Sequence, residues 1–200
     1  TLAHEIQNPL GGIKGMLQLL ERDLKDSGME TEPAKMMFSE IERIERLLKQ
    51  LLMHSHPMPI KSQSFNLHEL LDTVLSFERS SHPGLRFNAY YDASLPDIEA
   101  DRDKLHQVFL NLVRNASEAC PADGRVRVMT RHCAHWELAG TNLDPTRRYI
   151  LVSIEDEGPG IPEELRKNIF KPLFSTKKQG TGLGLSISFR LVESLSLIHI

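Results

Sequence analysis

The sequence predicts an α+β protein that consists of a helical hairpin followed by an α/β sandwich. Over about the first fifty residues, apolar side chains recur in alternating steps of three and four, which is the spacing of a helical bundle. After a proline-containing break, helix-like and strand-like segments alternate, which is typical of one helical layer on a mixed sheet. At 200 residues and 40% hydrophobic content, the chain is long enough for both parts.

The first part is predicted to be two helices with one apolar stripe each. The stripes contain Ile6, Leu10, Ile13, Leu17, Leu20 and Leu24 and, after a polar break, Met37, Ile41, Ile44, Leu48 and Leu51. A single hairpin buries little apolar surface, and pairing two copies into a four-helix bundle supplies the missing core. We therefore expect a homodimer.

The segment His56-Pro57-Met58-Pro59 ends the second helix, because neither proline has an N–H group and each restricts the residue before it. The expected domains are residues 1–56 and 57–200. Beyond the break, the pattern predicts helices near residues 66–77 and 102–120, strands near 86–91, 125–131 and 149–155, and a final helix after a glycine-rich segment.

Composition bounds the partners and the compartment. The formal net charge of -3 gives no broad attraction to nucleic acid or to an anionic membrane, so any phosphate binding has to be local. The only cysteines, Cys120 and Cys133, have neither a zinc nor a disulfide-framework spacing, which favours a reducing compartment. No apolar run is long enough to span a membrane, so we expect a cytoplasmic location. Because a helical pattern already runs at Thr1, we also expect a sensor region upstream.

The first helix carries three residues suited to phosphoryl chemistry. Its register places His4 on the outward face, where the imidazole is solvated and reachable. A carboxylate at Glu5 can take the proton from one ring nitrogen and leave the other free to attack phosphorus. Asn8, one turn on, could orient a water that hydrolyses the phosphohistidine. Taken alone, His4 is more often an ordinary surface histidine, so this interpretation depends on the rest of the chain.

Three further segments are predicted to bind a nucleotide. On the long helix, the amide oxygen of Asn115 suits Mg²⁺, and Asn111 should reach the phosphates from one turn earlier. After a predicted strand, Asp156 can accept the adenine amino group, and Gly158 and Gly160 let the backbone approach the base. Either segment alone could be a solvated amide face or a plain turn.

The third segment opens the last helix, where free N–H groups and the helix dipole favour phosphate oxygens. Its residues are Gly180, Thr181, Gly182, Leu183 and Gly184. The preceding stretch, residues 170–178, has little core pattern. We interpret it as a lid over the nucleotide, with Lys177 and its neighbour Lys178 facing the phosphates.

In this order, the segments resemble the H, N, G1/F and G2 boxes of the sensor histidine kinases of two-component systems, over residues 2–192. The sequences of two segments look most like those of the nitrogen-regulation kinases of that family: residues 3–13 and Pro172-Leu173-Phe174-Ser175-Thr176. The resemblance implies a dimerisation and phosphotransfer hairpin followed by a Bergerat-fold ATP-binding domain. It also implies ATP and Mg²⁺ as cofactors.

The resemblance further implies a role for each motif residue. His4 would be the phosphoacceptor, Glu5 its base and Asn8 a phosphatase residue, while Asn115 would bind Mg²⁺ and Asp156 would anchor adenine. The phosphoryl group would pass from His4 to an aspartate in the receiver domain of a response regulator, which is expected to be NtrC-like.

Two alternative functions share some of these features. ATP hydrolases of the gyrase, Hsp90 and MutL class place a glutamate one turn before the metal-binding asparagine, but Asn111 stands there and is no base. A non-catalytic dimerising module is the second alternative, because residues 194–200 do not resemble the family. We therefore expect an ATP-binding domain that is truncated at its C-terminus and has an open sheet edge.

Overall fold

The computed structural model describes residues 2–52, 60–134, 137, 144, 146, 148–177 and 181–195, with only the backbone for residues 2–8, 42–43 and 45–52. The chain divides into two compact units, Thr1–Met58 and Pro59–Ile200. The predicted boundary between residues 56 and 57 lies outside the described residues. The predicted order, a helical hairpin followed by an α/β unit, is confirmed.

The first unit is a pair of helices, α1 (Leu2–Asp26) and α2 (Glu32–Leu52). α1 ends in a turn in which Gly28 has a φ of +68°, a conformation that glycine adopts without steric penalty. The N–H of Met29 closes this turn by donating to the carbonyl of Leu24 (2.8 Å). None of the described helices of the chain is long and apolar enough to cross a membrane.

The predicted apolar stripes are only partly covered within one hairpin. Leu17 and Ile41 are buried, together with Ala34. Other members of the same stripes remain exposed: Ile13 (44%), Leu20 (46%), Met37 (56%) and Ile44 (41%). The side chains of Ile6, Leu48 and Leu51 are outside the described part of the chain. A single hairpin thus leaves apolar surface in water, as its pattern indicated.

The second unit combines short helices with two small sheets. Its elements are β1 (Gln63–Phe65), α3 (Leu67–Ser81), β2 (Arg86–Tyr91), β3 (Ile98–Ala100), α4 (Arg102–Ala119), β4 (Arg125–His132), β5 (Ile150–Asp156), α5 (Glu163–Arg166) and α6 (Gly184–Ser194). β2 pairs with β4 in parallel and β4 pairs with β5 antiparallel, so the main sheet is mixed, as predicted. β1 and β3 form a separate antiparallel pair.

The start of α4 is fixed by the carboxylate of Asp101. Its Oδ1 accepts the N–H of Lys104 (3.1 Å) and its Oδ2 accepts the N–H of Lys61 (2.9 Å). The ammonium of Lys104, itself buried, lies 3.6 Å from the same carboxylate. The N–H groups of Lys61 and Lys104 and the charge of Lys104 hold the pKa of Asp101 below its usual value. The helix that carries Asn111 and Asn115 therefore has a well-anchored first turn.

The hydrophobic core lies between α3, α4 and one face of the main sheet. It consists of Leu67, Leu70, Leu71, Val74, Leu75, Phe87, Leu105, Phe109, Val113, Ala116, Val126 and Val128. Along β4, Val126, Val128 and Thr130 are buried whereas Arg125 and Arg131 are exposed, so alternate residues face opposite sides of the sheet. Layering of helices on one face of the sheet positions α4 directly beside the end of β5.

Candidate functional site

Asn111 joins α4 to α6. Its Nδ2 donates to the hydroxyl of Ser188 (2.8 Å), and a Cβ added to Gly184 would overlap its Oδ1. The half-buried side chain therefore occupies the contact between the two helices. Its predicted contact with phosphates stays a prediction.

Asn115 lies one turn further along α4 and is half-buried. Within the described part of the chain, its side chain has no hydrogen-bond partner, so the amide oxygen is available as a ligand. Mg²⁺ commonly takes one or two protein oxygens and fills the rest of its octahedron with waters and substrate phosphates. A single hard amide oxygen at this position fits that pattern.

The G1 segment, which contains Asp156, Gly158 and Gly160, packs closely against the last turn of α4. Asp156 is the final residue of β5 and pairs with Val126. Its Oδ1 accepts the N–H of Gly158 (2.8 Å), which leaves Oδ2 for another donor. A Cβ on Gly158 would lie 2.7 Å from the carbonyl oxygen of Ala119, so only glycine fits there. Gly160 has a φ of +75° and open space around it.

The predicted lid contacts both helices through its own residues. Lys177 forms an ion pair with Glu118 of α4, one turn beyond Asn115, and both side chains are exposed. The ring of Phe170 lies 5.3 Å from that of Phe189 on α6. Leu173 is 66% exposed and has a φ of +64°, an unfavourable conformation for a leucine. Lys178 lies outside the described residues.

The G2 segment, residues 180–184, leads into α6. Gly182 has a φ of +65°, and a Cβ there would overlap the backbone of Leu173 in the lid. The hydroxyl of Thr181 accepts the N–H of Leu183, which is itself almost fully buried. Among the described residues, no side chain caps the N-terminus of α6, so its first N–H groups can serve an anion. Gly180 is outside the described residues.

The predicted phosphoacceptor segment lies in α1, and its backbone is helical. The side chains of His4, Glu5 and Asn8 are outside the described part of the chain. Their roles therefore stay predictions.

Sequence reasoning missed Glu118 and Ser188 as partners of predicted site residues. Glu118 follows Asn115 by three positions, so helical spacing alone could have placed it on the same face. The bond between Asn111 and Ser188 joins residues 77 positions apart, and no local pattern indicates it.

Two parts of the chain match known families. Residues 1–56 match the His Kinase A (phospho-acceptor) domain. Residues 100–199 match the histidine kinase-, DNA gyrase B-, and HSP90-like ATPase family. The chain belongs to the histidine kinase family. Its HisKA domain precedes its HATPase domain, in the order that the sequence motifs predicted.

Relatives of this histidine kinase support the resemblance to nitrogen-regulation kinases. The chain is 36% identical over 194 residues to the sensory histidine kinase/phosphatase NtrB of Azospirillum brasilense, covering 96% of this chain and 48% of the relative. It is 38% identical over 198 residues to NtrB of Rhodobacter capsulatus, covering 96% of this chain and 54% of the relative. The chain spans about half the length of the curated relatives that it matches.

Solved histidine kinases share the fold. Histidine kinase ThkA, in complex with response regulator protein TrrA, superposes with a TM-score of 0.61 at 30% identity, over 98% of this chain and 54% of that one. Full-length ShkA in complex with AMPPNP gives a TM-score of 0.75 over 98% of this chain and 40% of that one, at 23% identity.

Proposed function

We propose that this chain is the catalytic core of a sensor histidine kinase that uses ATP and Mg²⁺ to phosphorylate His4. Residues 1–56 would be the phosphotransfer domain and residues 57–200 the ATP-binding domain. The observation that carries the proposal is the pairing of a HisKA match around His4 with an ATPase-family domain whose G1 and G2 segments both pack against α4.

The adenine end of the site would be read by Asp156. The N–H of Gly158 holds Oδ1 of this carboxylate, so Oδ2 is left to accept the 6-amino group of adenine. Close packing of Gly158 on Ala119 brings the backbone of residues 158–160 near the base plane. The aspartate thereby acts as an oriented acceptor rather than as a base.

The phosphate end would be served by Asn115, Lys177 and the start of α6. Asn115 would hold Mg²⁺, which supplies neutralisation of the charge on the phosphates when it is bound. Lys177 can exchange Glu118 for a phosphate oxygen, because both partners are exposed and their ion pair is weak in water. The uncapped N–H groups of α6, with Thr181, Gly182, Leu183 and Gly184 around them, would bind phosphate oxygens. Asn111 would support this end by holding α6 on α4.

At the acceptor, Glu5 would take the proton from one ring nitrogen of His4. The other nitrogen would attack the γ-phosphorus, so that an N–P bond forms, the bond to the β-phosphate oxygen breaks and ADP leaves. The phosphoryl group would then pass to a carboxylate oxygen of an aspartate in a response regulator. As a phosphatase residue, Asn8 would orient a water that hydrolyses the phosphohistidine.

The partners follow from the same argument. The exposed stripe residues Ile13, Leu20 and Ile44 support a homodimer that buries them in a four-helix bundle. A related kinase, ThkA, has been crystallised with its response regulator, and the NtrB relatives point to an NtrC-like receiver domain as the partner here. A cytoplasmic location belongs to this proposal.

Incubation of the purified chain with Mg²⁺ and γ-labelled ATP tests the proposal. We expect label on the protein that is labile in acid and stable in base, as a phosphohistidine is. His4→Gln should abolish the label because it removes the acceptor nitrogen, and Asn115→Ala should abolish it because it removes the metal ligand. His132→Gln, which changes an exposed histidine of β4, should keep it.

Two results would contradict the proposal. Label that persists in His4→Gln would place the acceptor elsewhere. Release of free phosphate without any labelled protein would favour the hydrolase alternative.

A further inference from the structure

Asp156, the proposed acceptor for adenine, lies at the end of the sheet, where strand pairing opens most easily. Asp156 is the last residue of β5, and its pairing with Val126 is the last step of the β4–β5 ladder. Strand ends open more easily than strand centres, because few contacts hold them. An acceptor that reads one amino group needs a fixed position, so something must hold this strand end closed.

The residue after the ladder supplies that restraint. The carboxylate of Glu157 accepts from two donors of a single residue, Arg125: Oε1 lies 2.9 Å from Nε and Oε2 lies 3.2 Å from the backbone nitrogen. Because the side chains of Arg125 and Glu157 are partly exposed (49% and 32%), the attraction between their charges contributes little by itself. The bond from the backbone N–H acts as a further bond between the strands, and the bond from Nε orients the carboxylate for it. Glu157 thus continues the pairing of β4 and β5 by one residue beyond the last ladder step.

Arg125 is itself held from two other directions. Its carbonyl oxygen accepts the thiol of Cys120, the residue that caps the C-terminus of α4 (3.4 Å). The preceding residue, Gly124, accepts the N–H of Arg86 from β2 (3.0 Å) and has no room for a side chain. The clamp formed by Glu157 and Arg125 therefore ties the end of β5 to the end of α4 and to β2.

The same strand pair contains a built-in comparison. Glu155 and Arg127 also form an ion pair (3.3 Å), two residues earlier on the same face. These two residues lie directly opposite each other inside the ladder, where the backbones are already paired. We therefore expect loss of this inner pair to leave the strand end closed, and loss of the outer clamp to let it open.

We propose that Glu157 and Arg125 are positioning residues that hold Asp156 in register for the adenine amino group and so set the preference for adenine. This inference rests on the proposed role of Asp156. The clamp touches no nucleotide atom. It acts by keeping the last ladder pair closed, so that Oδ2 of Asp156 stays where the amino group can donate to it.

The test compares the binding of two nucleotides, each in the presence of Mg²⁺. One is ATP, and the other is the triphosphate of purine riboside, which carries hydrogen in place of the 6-amino group. Binding is measured by calorimetry for the wild type and for Glu157→Ala, Glu157→Gln and Glu155→Gln. We expect Glu157→Ala to weaken ATP binding about fivefold, because a hydrogen bond to the base is lost. Binding of the purine riboside triphosphate should change less than about twofold, since it has no amino group to lose.

Two further results are expected if the clamp acts through position alone. Glu157→Gln, which keeps one acceptor oxygen, should fall between the wild type and Glu157→Ala. Glu155→Gln should keep the wild-type ratio of the two affinities. In autophosphorylation, Glu157→Ala should raise KM for ATP and leave kcat unchanged.

The outcomes separate this inference from the proposed function. A wild type that prefers ATP, together with a Glu157→Ala variant that keeps the same preference, overturns the clamp alone. Equal losses for both nucleotides also overturn it, because they indicate a general loosening of the domain. A wild type that binds both nucleotides equally overturns the adenine role of Asp156, and the clamp with it.

Discussion

The two ends of the proposed nucleotide site are attached to the domain in different ways. At the adenine end, Asp156 belongs to the main sheet and Gly158 packs directly on the backbone of α4. At the phosphate end, the described residues 170–177 and 181–183 lie in no strand. The described contacts of this stretch with the helices include the ion pair of Lys177 with Glu118 and the ring contact of Phe170 with Phe189. Within the stretch, Gly182 closely approaches the backbone of Leu173.

This difference separates the part of the proposed site that recognises the base from the part that can move. The backbone of the adenine end is part of the β4–β5 ladder and of the contact with α4, so a large rearrangement there would disturb the packing of the domain. The phosphate end can exchange single contacts while the core stays folded, since an exposed ion pair contributes little to stability. We therefore expect the proposed adenine contacts to stay in place while the proposed lid rearranges around a nucleotide.

The largest expected effect comes from the turn that joins the lid to α6. Gly182→Ala combines a positive φ with overlap of the Leu173 backbone, and we expect it to lower the free energy of unfolding by about 2–4 kcal/mol. Gly160→Ala is the matched control, because its φ is similarly positive while its surroundings are open. It should lower that free energy by about 1 kcal/mol. Urea denaturation of both variants measures the difference, and equal losses would refute the packing argument.

A smaller effect is expected where α4 meets α6. Asn111→Ala and Ser188→Ala each remove the same hydrogen bond, so each should lower the free energy of unfolding by about 1 kcal/mol. The double variant should be about as stable as the less stable of the two single variants, because both substitutions remove the same hydrogen bond. Thermal denaturation of the three proteins checks this. A neutral Ser188→Ala would show that the bond does not hold the two helices together.

The smallest effect is expected at the exposed ion pair. Glu118→Gln frees Lys177 and removes a negative charge near the phosphates, so ATP affinity should rise by about threefold at most. In a Lys177→Met background the gain should shrink, and high salt should reduce it in the wild-type background. Equilibrium binding of ATP measures both. Weaker ATP binding by Glu118→Gln would mean that the carboxylate positions the lysine instead of competing for it.

The sequence predicted the elements that have a strong periodic pattern. α4 was expected at residues 102–120 and lies at Arg102–Ala119, and β2 was found at the predicted residues 86–91. β1, β3 and α5 were not predicted, because three or four residues are too few to establish a period. β1 and β3 form because they pair with each other across a long stretch of chain.

The core face of α4 was only partly predicted. The helical period of α4 predicts a buried face made of Leu105, Val108, Leu112, Ala116 and Ala119. Leu105, Val108 and Ala116 are buried, but Leu112 and Ala119 are half-buried, and Phe109 and Val113 take their place in the core. Ala119 instead lies against Gly158, a contact that depends on where the G1 loop folds back.

Site residues divide along the same line. Asp156 and Gly158 could be placed from their position at and just beyond the end of a predicted strand, because that signal is local. The pairing of Lys177 with Glu118 joins residues 59 positions apart, so only the folded chain brings them together.

The parallel pairing of β2 with β4 has a consequence for how the protein folds. Parallel strands require a crossover connection, and here the crossover runs from residue 92 to residue 124 and contains the whole of α4. Because that pairing joins distant segments, it forms more slowly than a hairpin of neighbouring helices such as α1 and α2. The helix that bears Asn111 and Asn115 thus lies inside a long crossover connection, and we expect it to be fixed on the sheet only once β2 and β4 have paired.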